Sequence, residues 1–285
     1  MILRCREVSF DLSQRTLVMG IVNVTPDSFS DGGQFLAPDA AIVHAQQLLA
    51  EGADLLDLGA ESTRPGSAPV DADEQIRRLA PVIEALAGTP GAVLSVDTQS
   101  ASVAEQALRL GAHMVNDVSA LRDPGMAKVV AAHGAGLVLM HMQGDPDSMQ
   151  NDPRYTDVVR EVATILAERK AIAEAGGVAK ECIAIDPGLG FGKTLEHNLT
   201  LLASLEWFAP LGRPLLVGAS RKGFLARLTG DTPAKDRLEA SLAAAVIAAW
   251  QGARILRVHD VAATRRALAV ADATRAAKGL RERLL

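Results

Sequence analysis

The sequence has only two cysteines among 285 residues, Cys5 and Cys182, so no disulfide framework braces it and the reducing cytoplasm is the expected location. Long apolar runs are missing: the longest, such as Leu137 to Met140 and Ser241 to Trp250, fall well short of the roughly 20 residues that span a bilayer. The opening Met1-Ile2-Leu3-Arg4-Cys5-Arg6 shows no apolar core of the signal-peptide kind. There is no basic excess either, since 29 Lys and Arg against 34 Asp and Glu give a net charge of −5, which repels a DNA backbone. Nucleic acid and membrane are therefore not expected partners. The six histidines include no pair at zinc-ligand spacing, and His44, His113, His133 and His197 read as helix-surface or packing residues.

What is present is a globular balance, 48% apolar and 22% charged. Eight short apolar runs alternate with amphipathic stretches: Leu17 to Val22, Leu55 to Leu58, Val93 to Val96, Met114 to Val118, Leu137 to Met140, Ile183 to Ile185, Leu215 to Val217 and Arg254 to Val258. Each is nearly continuous in apolar residues, as in strands buried on both faces of a parallel sheet. Asp123-Pro124 reads as a helix N-cap with proline at N1, and Ser102 to Glu105 as a capping box. Gly52, Gly111, Gly134, Gly176 and Gly252 read as left-handed helix stops. Eight βα units after an N-terminal stretch, Leu3 to Leu17, that suits a β-hairpin predict an α/β fold, a TIM (β/α)8 barrel occupying 1–285 as a single domain. The rival is a doubly wound open sheet, but its dinucleotide fingerprint is absent where the first loop reads Asn23-Val24-Thr25-Pro26-Asp27.

A TIM barrel carries its chemistry at the C-terminal ends of its strands. Those ends here are polar in turn: Asn23, Asp57 with Glu61 beyond, Asp97, Asn116 with Asp117, His141, Asp186, the run Ser220-Arg221-Lys222, and His259 after Arg257. Asp97, Asn116 and Asp186 can accept from the N–H edge of a heterocycle, while Lys222, Arg257 and His259 suit anionic oxygens, so the ring predicts a bipolar ligand. The plain alternative for Arg257 and Lys222 is an ion pair with those aspartates. Asn23 with Asp31 offers oxygen ligands to Mg²⁺, an ion that takes one or two protein oxygens alongside substrate phosphates, whereas Asp27 reads as a turn residue. Phe29, Phe35, Phe191 and Phe224 lie in or beside the strand-end loops and could wall a flat ring. The run ending Gly192-Lys193-Thr194 imitates a P-loop, yet Pro187 stands where that motif needs its first glycine, and nucleoside triphosphate hydrolysis is set aside.

Asn23-Val24-Thr25-Pro26-Asp27-Ser28-Phe29-Ser30-Asp31-Gly32-Gly33 and Asp57-Leu58-Gly59-Ala60-Glu61-Ser62-Thr63-Arg64-Pro65-Gly66 closely resemble the paired signatures of the dihydropteroate synthase family. The likeness continues through Ser95-Val96-Asp97-Thr98, Val115-Asn116-Asp117, His141-Met142-Gln143-Gly144, Asp186 to Lys193, Gly218 to Phe224 and Arg257-Val258-His259-Asp260. That resemblance implies a TIM barrel joining 6-hydroxymethyl-7,8-dihydropterin diphosphate to 4-aminobenzoate, with release of diphosphate. It implies pterin contacts from Asp97, Asn116, Asp186 and Lys222, and diphosphate contacts from Asn23, Arg257 and His259. An aminobenzoate pocket of Thr63, Arg64, Ser220, Phe29 and Phe191 follows, as does Mg²⁺ on Asn23 and Asp31. Asp97, Lys222, Arg257 and His259 would be the catalytic groups, and a homodimer is the expected assembly, with the apolar stretches Leu238 to Trp250 and Val261 to Ala277 suited to cover each other's copies. A pterin-binding methyltransferase barrel serving a corrinoid partner, and a barrel that only binds pterin, are the competing readings; neither needs the diphosphate residues.

Overall fold

A computed structural model describes residues 1–25, 37–61, 70–146 and 148–282. Strands β1 (Ile2–Cys5) and β2 (Val8–Asp11) form an antiparallel hairpin, with Leu3 opposite Phe10. The eight strands that follow are all parallel: β3 (Leu17–Asn23), β4 (Leu55–Gly59), β5 (Leu94–Asp97), β6 (Met114–Asp117), β7 (Gly136–Met140), β8 (Ile183–Asp186), β9 (Leu216–Val217) and β10 (Ile255–Val258). Their order in the sheet, β8-β7-β6-β5-β4-β3-β10-β9, joins neighbours round a ring. One parallel bridge, Ile185 to Leu215, with the Ile185 N–H donating to Pro214 O at 2.9 Å, closes it. The barrel and the hairpin are those expected from the sequence.

Alternate residues along each strand go to two different cores. Val18, Leu56, Leu94, Val115, Leu137, Ile183, Val217 and Leu256 face outward into a cluster with helix residues such as Leu48, Leu79 and Val130. Leu17, Met19, Leu55, Val93, Met114, Val138, Ala184, Leu216 and Ile255 face inward and fill the lower barrel. Leu3, Cys5 and Leu12 join that inner cluster, so the hairpin plugs the N-terminal end, and a Cβ on Gly136 would stand 2.7 Å from Cys5 Sγ. Continuing the inward parity two residues on converts apolar floor into polar mouth: Leu55 leads to Asp57, Met114 to Asn116, Ala184 to Asp186 and Ile255 to Arg257.

Nine helices occur among the described residues: α1 (Ala37–Ala50), α2 (Ala72–Ala87), α3 (Ala101–Leu110), α4 (Met126–His133), α5 (Val158–Ala175), α6 (Leu195–Ala203), α7 (Gly223–Leu228), α8 (Leu238–Trp250) and α9 (Val261–Glu282). None of them is long and apolar enough to cross a membrane. Asp71, Asp157 and Thr194 cap α2, α5 and α6, each accepting the backbone N–H three residues on. Two expected ends differ. Ser100, not Ser102, caps α3 by accepting from Val103 N, and Glu105 turns instead to His133 and Arg109. Asp123 lies two residues ahead of the α4 N-cap Gly125, where its carboxylate accepts from Gly125 N and Ala101 N, tying the starts of α3 and α4 together. Gly52, Gly111, Gly134 and Gly252 are left-handed as expected; after α5 that conformation passes from Gly176, φ −75°, to Gly177, φ 93°.

Candidate active site

The inward parity brings Asp57, Asp97, Asn116, Asp186 and Arg257 together above the apolar floor. Arg257 bridges two aspartates: its Nε donates to Asp57 Oδ2 at 2.6 Å and its Nη2 to Asp97 Oδ2 at 2.9 Å. Asn116 Nδ2 donates to the same Asp57 oxygen at 2.9 Å. Asp57 is wholly buried, and its Oδ1 has no partner among the described residues; neither has the buried Oγ of Ser95, its register neighbour on β5. Burial raises Asp97 to about 7 against the pull of Arg257, with Asp57, Asp117 and Glu61 adding to the rise. For Arg257 burial disfavours the charge, but Asp57 and Asp97 outweigh it and hold the guanidinium charged. The ion pair anticipated as the plain alternative for Arg257 is thus present.

Across the mouth, Asp186 is buried and accepts from Gly188 N at 2.7 Å, and burial raises its carboxyl while Lys222 opposes the rise. The Lys222 ammonium donates to Leu189 O and lies 4.3 Å from the centre of the Phe191 ring. Burial brings this lysine down to about 8 despite Asp186. Ser220 Oγ meets His259 Nδ1 at 3.0 Å and accepts from the His259 backbone N–H at 3.2 Å, so serine and histidine are locked together. Arg221, left-handed at φ 58°, forks onto Asp260 at 3.0 and 2.5 Å, which fixes the loop carrying Ser220 and Lys222. Asn23 ends β3 half-buried, in register with Gly59 beside Asp97.

The glycines after β8 serve close approach. A Cβ on Gly188, φ 68°, would lie 1.9 Å from His141 O, and one on Gly192, φ 61°, 2.4 Å from Gln143 O. Gly188→Ala is expected to cost about 2–3 kcal/mol, the scale of overpacking with backbone strain, read as a lower urea midpoint. An unchanged midpoint would show that the loop relaxes freely and does not hold the mouth.

Of the residues singled out from sequence, Asp97, Asn116, Asp186, Lys222, Arg257, Ser220, His259, Asn23 and Phe191 stand at this mouth. Phe29, Asp31, Thr63 and Arg64 lie outside the described residues, as do Asp27 and Phe35. Glu61 is occupied structurally, accepting from Val70 N and Gln75 Nε2, both at 3.1 Å. Two residues to which the sequence reading gives no ligand role belong to the site. Asp57 is recoverable from parity, two places after Leu55. Lys193 is buried, donating to Phe191 O at 2.9 Å and meeting His141 Nδ1 at 3.1 Å; the sequence marks it only as the end of the Asp186 to Lys193 likeness and in the failed P-loop match.

Residues 19–259 match the family model described as pterin binding enzyme. The Escherichia coli (strain K12) dihydropteroate synthase is 48% identical over 270 residues, covering 95% of each chain. The Xanthomonas albilineans dihydropteroate synthase solved with 4-aminobenzoic acid superposes with a TM-score of 0.91 at 48% identity, covering 96% of this chain and 98% of that one. The same enzyme solved with 7,8-dihydropteroate gives 0.88 at 46% identity, covering 97% and 99%.

Proposed function

The chain belongs to the dihydropteroate synthase family of pterin-binding enzymes, and from that premise we propose how its barrel mouth performs the synthesis. The reaction joins 6-hydroxymethyl-7,8-dihydropterin diphosphate to 4-aminobenzoate and releases diphosphate, as a step of folate synthesis. The observation that carries the residue assignment is the convergence of three buried or nearly buried acceptors, Asp97, Asn116 and Asp186, with the cations of Lys222 and Arg257 on one inward face. Asn116 and Asp186 accept from the amino and N–H edge of the pterin, and Lys222 donates to its carbonyl. Arg257, held by Asp57 and Asp97 through Nε and Nη2, presents Nη1 to the diphosphate together with His259, whose ring Ser220 orients.

The displacement is dissociative: the C–O bond to diphosphate lengthens before the amine arrives, and the pterin methylene becomes cationic. Asp97 stabilises that cation, and Arg257 and His259 take the charge of the leaving group. The aniline-type nitrogen of aminobenzoate is neutral at pH 7 and attacks without a strong base. Ser220 and Phe191, with Thr63, Arg64 and Phe29 from segments outside the described residues, shape its pocket.

The donor set suits Mg²⁺ carried with the diphosphate. Asn23, at the end of β3, would offer one amide oxygen and Asp31, outside the described residues, would be the second ligand, while the described residues hold no cluster of three or more His, Cys, Asp or Glu able to bind a metal by itself. Such a site takes its remaining oxygens from phosphates. An ion held there would supply neutralisation of charge on the diphosphate. A homodimer is the proposed assembly, supported by the exposed Ile247 and Trp250 on α8 and Val270 on α9.

The direct test measures diphosphate release from the pterin substrate with and without 4-aminobenzoate, and with and without EDTA. Release should form dihydropteroate when the amine is present, and chelation should slow it at least tenfold while pterin binding persists. Pterin binding with no release under any condition would return the binding-only reading.

A further inference from the structure

The Gly192-Lys193-Thr194 run is unexplained by any phosphate role, and each member has a structural partner. Gly192 packs on Gln143 O, Thr194 caps α6 with His197 in a reciprocal box, and Lys193 turns inward. The Lys193 amine is enclosed, 3% exposed as a residue, and reaches across from the β8–α6 loop to the end of β7. There it sits 3.1 Å from His141 Nδ1 and 3.5 Å from His141 O, while it donates to Phe191 O at 2.9 Å.

Its surroundings decide what it can do. His141 is buried and is pushed down to about 3 by burial and by Lys193, so its imidazole is neutral and Nδ1 accepts the amine's hydrogen. Lys193 itself is brought down to about 7 by burial, with Asp186 favouring its charge and Lys222 opposing it. The same loop carries Phe191, whose ring lies on the Lys222 ammonium, and Leu189, whose carbonyl accepts from that ammonium. The loop is held from its outer side as well, by Tyr155 Oη donating to Gly192 O at 2.9 Å and Gln150 Nε2 donating to Gly190 O at 2.6 Å.

We propose that Lys193 is a positioning residue of the pterin pocket: its buried amine ties the β8–α6 loop to β7, seats Phe191 and Leu189 against Lys222, and places a positive neighbour behind Asp186. This rests on the reading of Asp186 and Lys222 as pterin contacts. Lys193 acts through other side chains: Asp186 and Lys222 at the pterin and, to a lesser degree, Phe191 at the aminobenzoate. The groups facing it are His141 from β7, Asp186 from β8 and Lys222 from the β9–α7 loop, with Arg257 of β10 acting on the same carboxylate.

Lys193→Met removes the donor and the charge at similar length, and Lys193→Gln keeps a donor but loses the charge. With Lys193→Met, KM for the pterin substrate should rise roughly tenfold, the scale of one lost charged hydrogen bond, with a clearly smaller rise in KM for 4-aminobenzoate, whose pocket Phe191 helps to shape. Pterin binding, titrated directly against pH, should fail at higher pH than in the parent, because Asp186 without its positive neighbour protonates sooner as pH falls. Lys193→Gln should show the same pH displacement with a smaller rise in KM, and it provides the readout if the methionine variant does not fold. Parent-like pterin KM and pH dependence in either folded variant, or equal losses for both substrates, would overturn the proposal. An inactive parent enzyme in the same assay would instead overturn the functional reading on which it rests.

Discussion

Asp97→Asn is expected to lower kcat by about 10²-fold, the loss seen when one preorganised charge-stabilising group is removed. The amide is isosteric, so the pterin should remain seated by Asn116, Asp186 and Lys222, with its KM shifted only slightly. Folding should not suffer, because Asp57 keeps the 2.6 Å contact from Arg257 and a neutral side chain relieves its repulsion with the neighbouring carboxylate. The pH profile gives a second check. Since burial and surrounding carboxylates raise Asp97 to about 7, the reactive carboxylate of the free enzyme is lost as pH falls through that value. The parent kcat/KM should decline there on acidification, and the variant should lack that inflection. Unchanged kcat in a correctly folded variant would remove Asp97 from cation stabilisation.

Arg257→Met carries the largest expected cost to stability. Asp57 is fully buried, and the guanidinium is its only cationic hydrogen-bond partner among the described residues. Breaking a buried ion pair by removing one member strands the other charge, which typically costs about 3–5 kcal/mol. Urea unfolding should register that loss, and the double variant Asp57→Asn with Arg257→Met should recover part of it, because the stranded charge is gone. Diphosphate release should be lost in both, since the cation facing the leaving group is missing in each. A single variant as stable as the parent would mean that the Asp57–Arg257–Asp97 bridge has no structural weight.

Much of this frame was legible in the sequence because it is local. Eight apolar runs, a leading hairpin and a polar residue at each run's end are properties of short windows, and the barrel turns them into a ring. Pairing at long range was legible only as an unplaced alternative. Asp57 and Arg257 are 200 residues apart, and Asp97 and Arg257 160, so nothing in a window announces that one guanidinium joins both carboxylates. Helix ends failed for a different reason: Ser100 and Ser102 are both competent caps, and the choice fell to whichever lay at the turn out of β5. Similarly Gly176 and Gly177 are chemically identical, and only the path into the turn after α5 decides which of them is left-handed. Lys193 was hidden by its own chemistry, since a lysine after glycine reads as a surface or phosphate-binding group until the fold encloses it.

The single bridge between Ile185 and Leu215 makes the junction of β8 and β9 the thinnest seam of the barrel wall. Asp186 stands on one bank of that seam, and Ser220 and Lys222 follow from the other. A heterocycle held by Asp186 and Lys222, as proposed, would act as a staple, supplying across the gap cross-links that the single backbone bridge does not. On the proposed pterin site the substrate would complete the wall as well as fill the mouth, and the free energy of holding the ring shut would be shared between polypeptide and ligand.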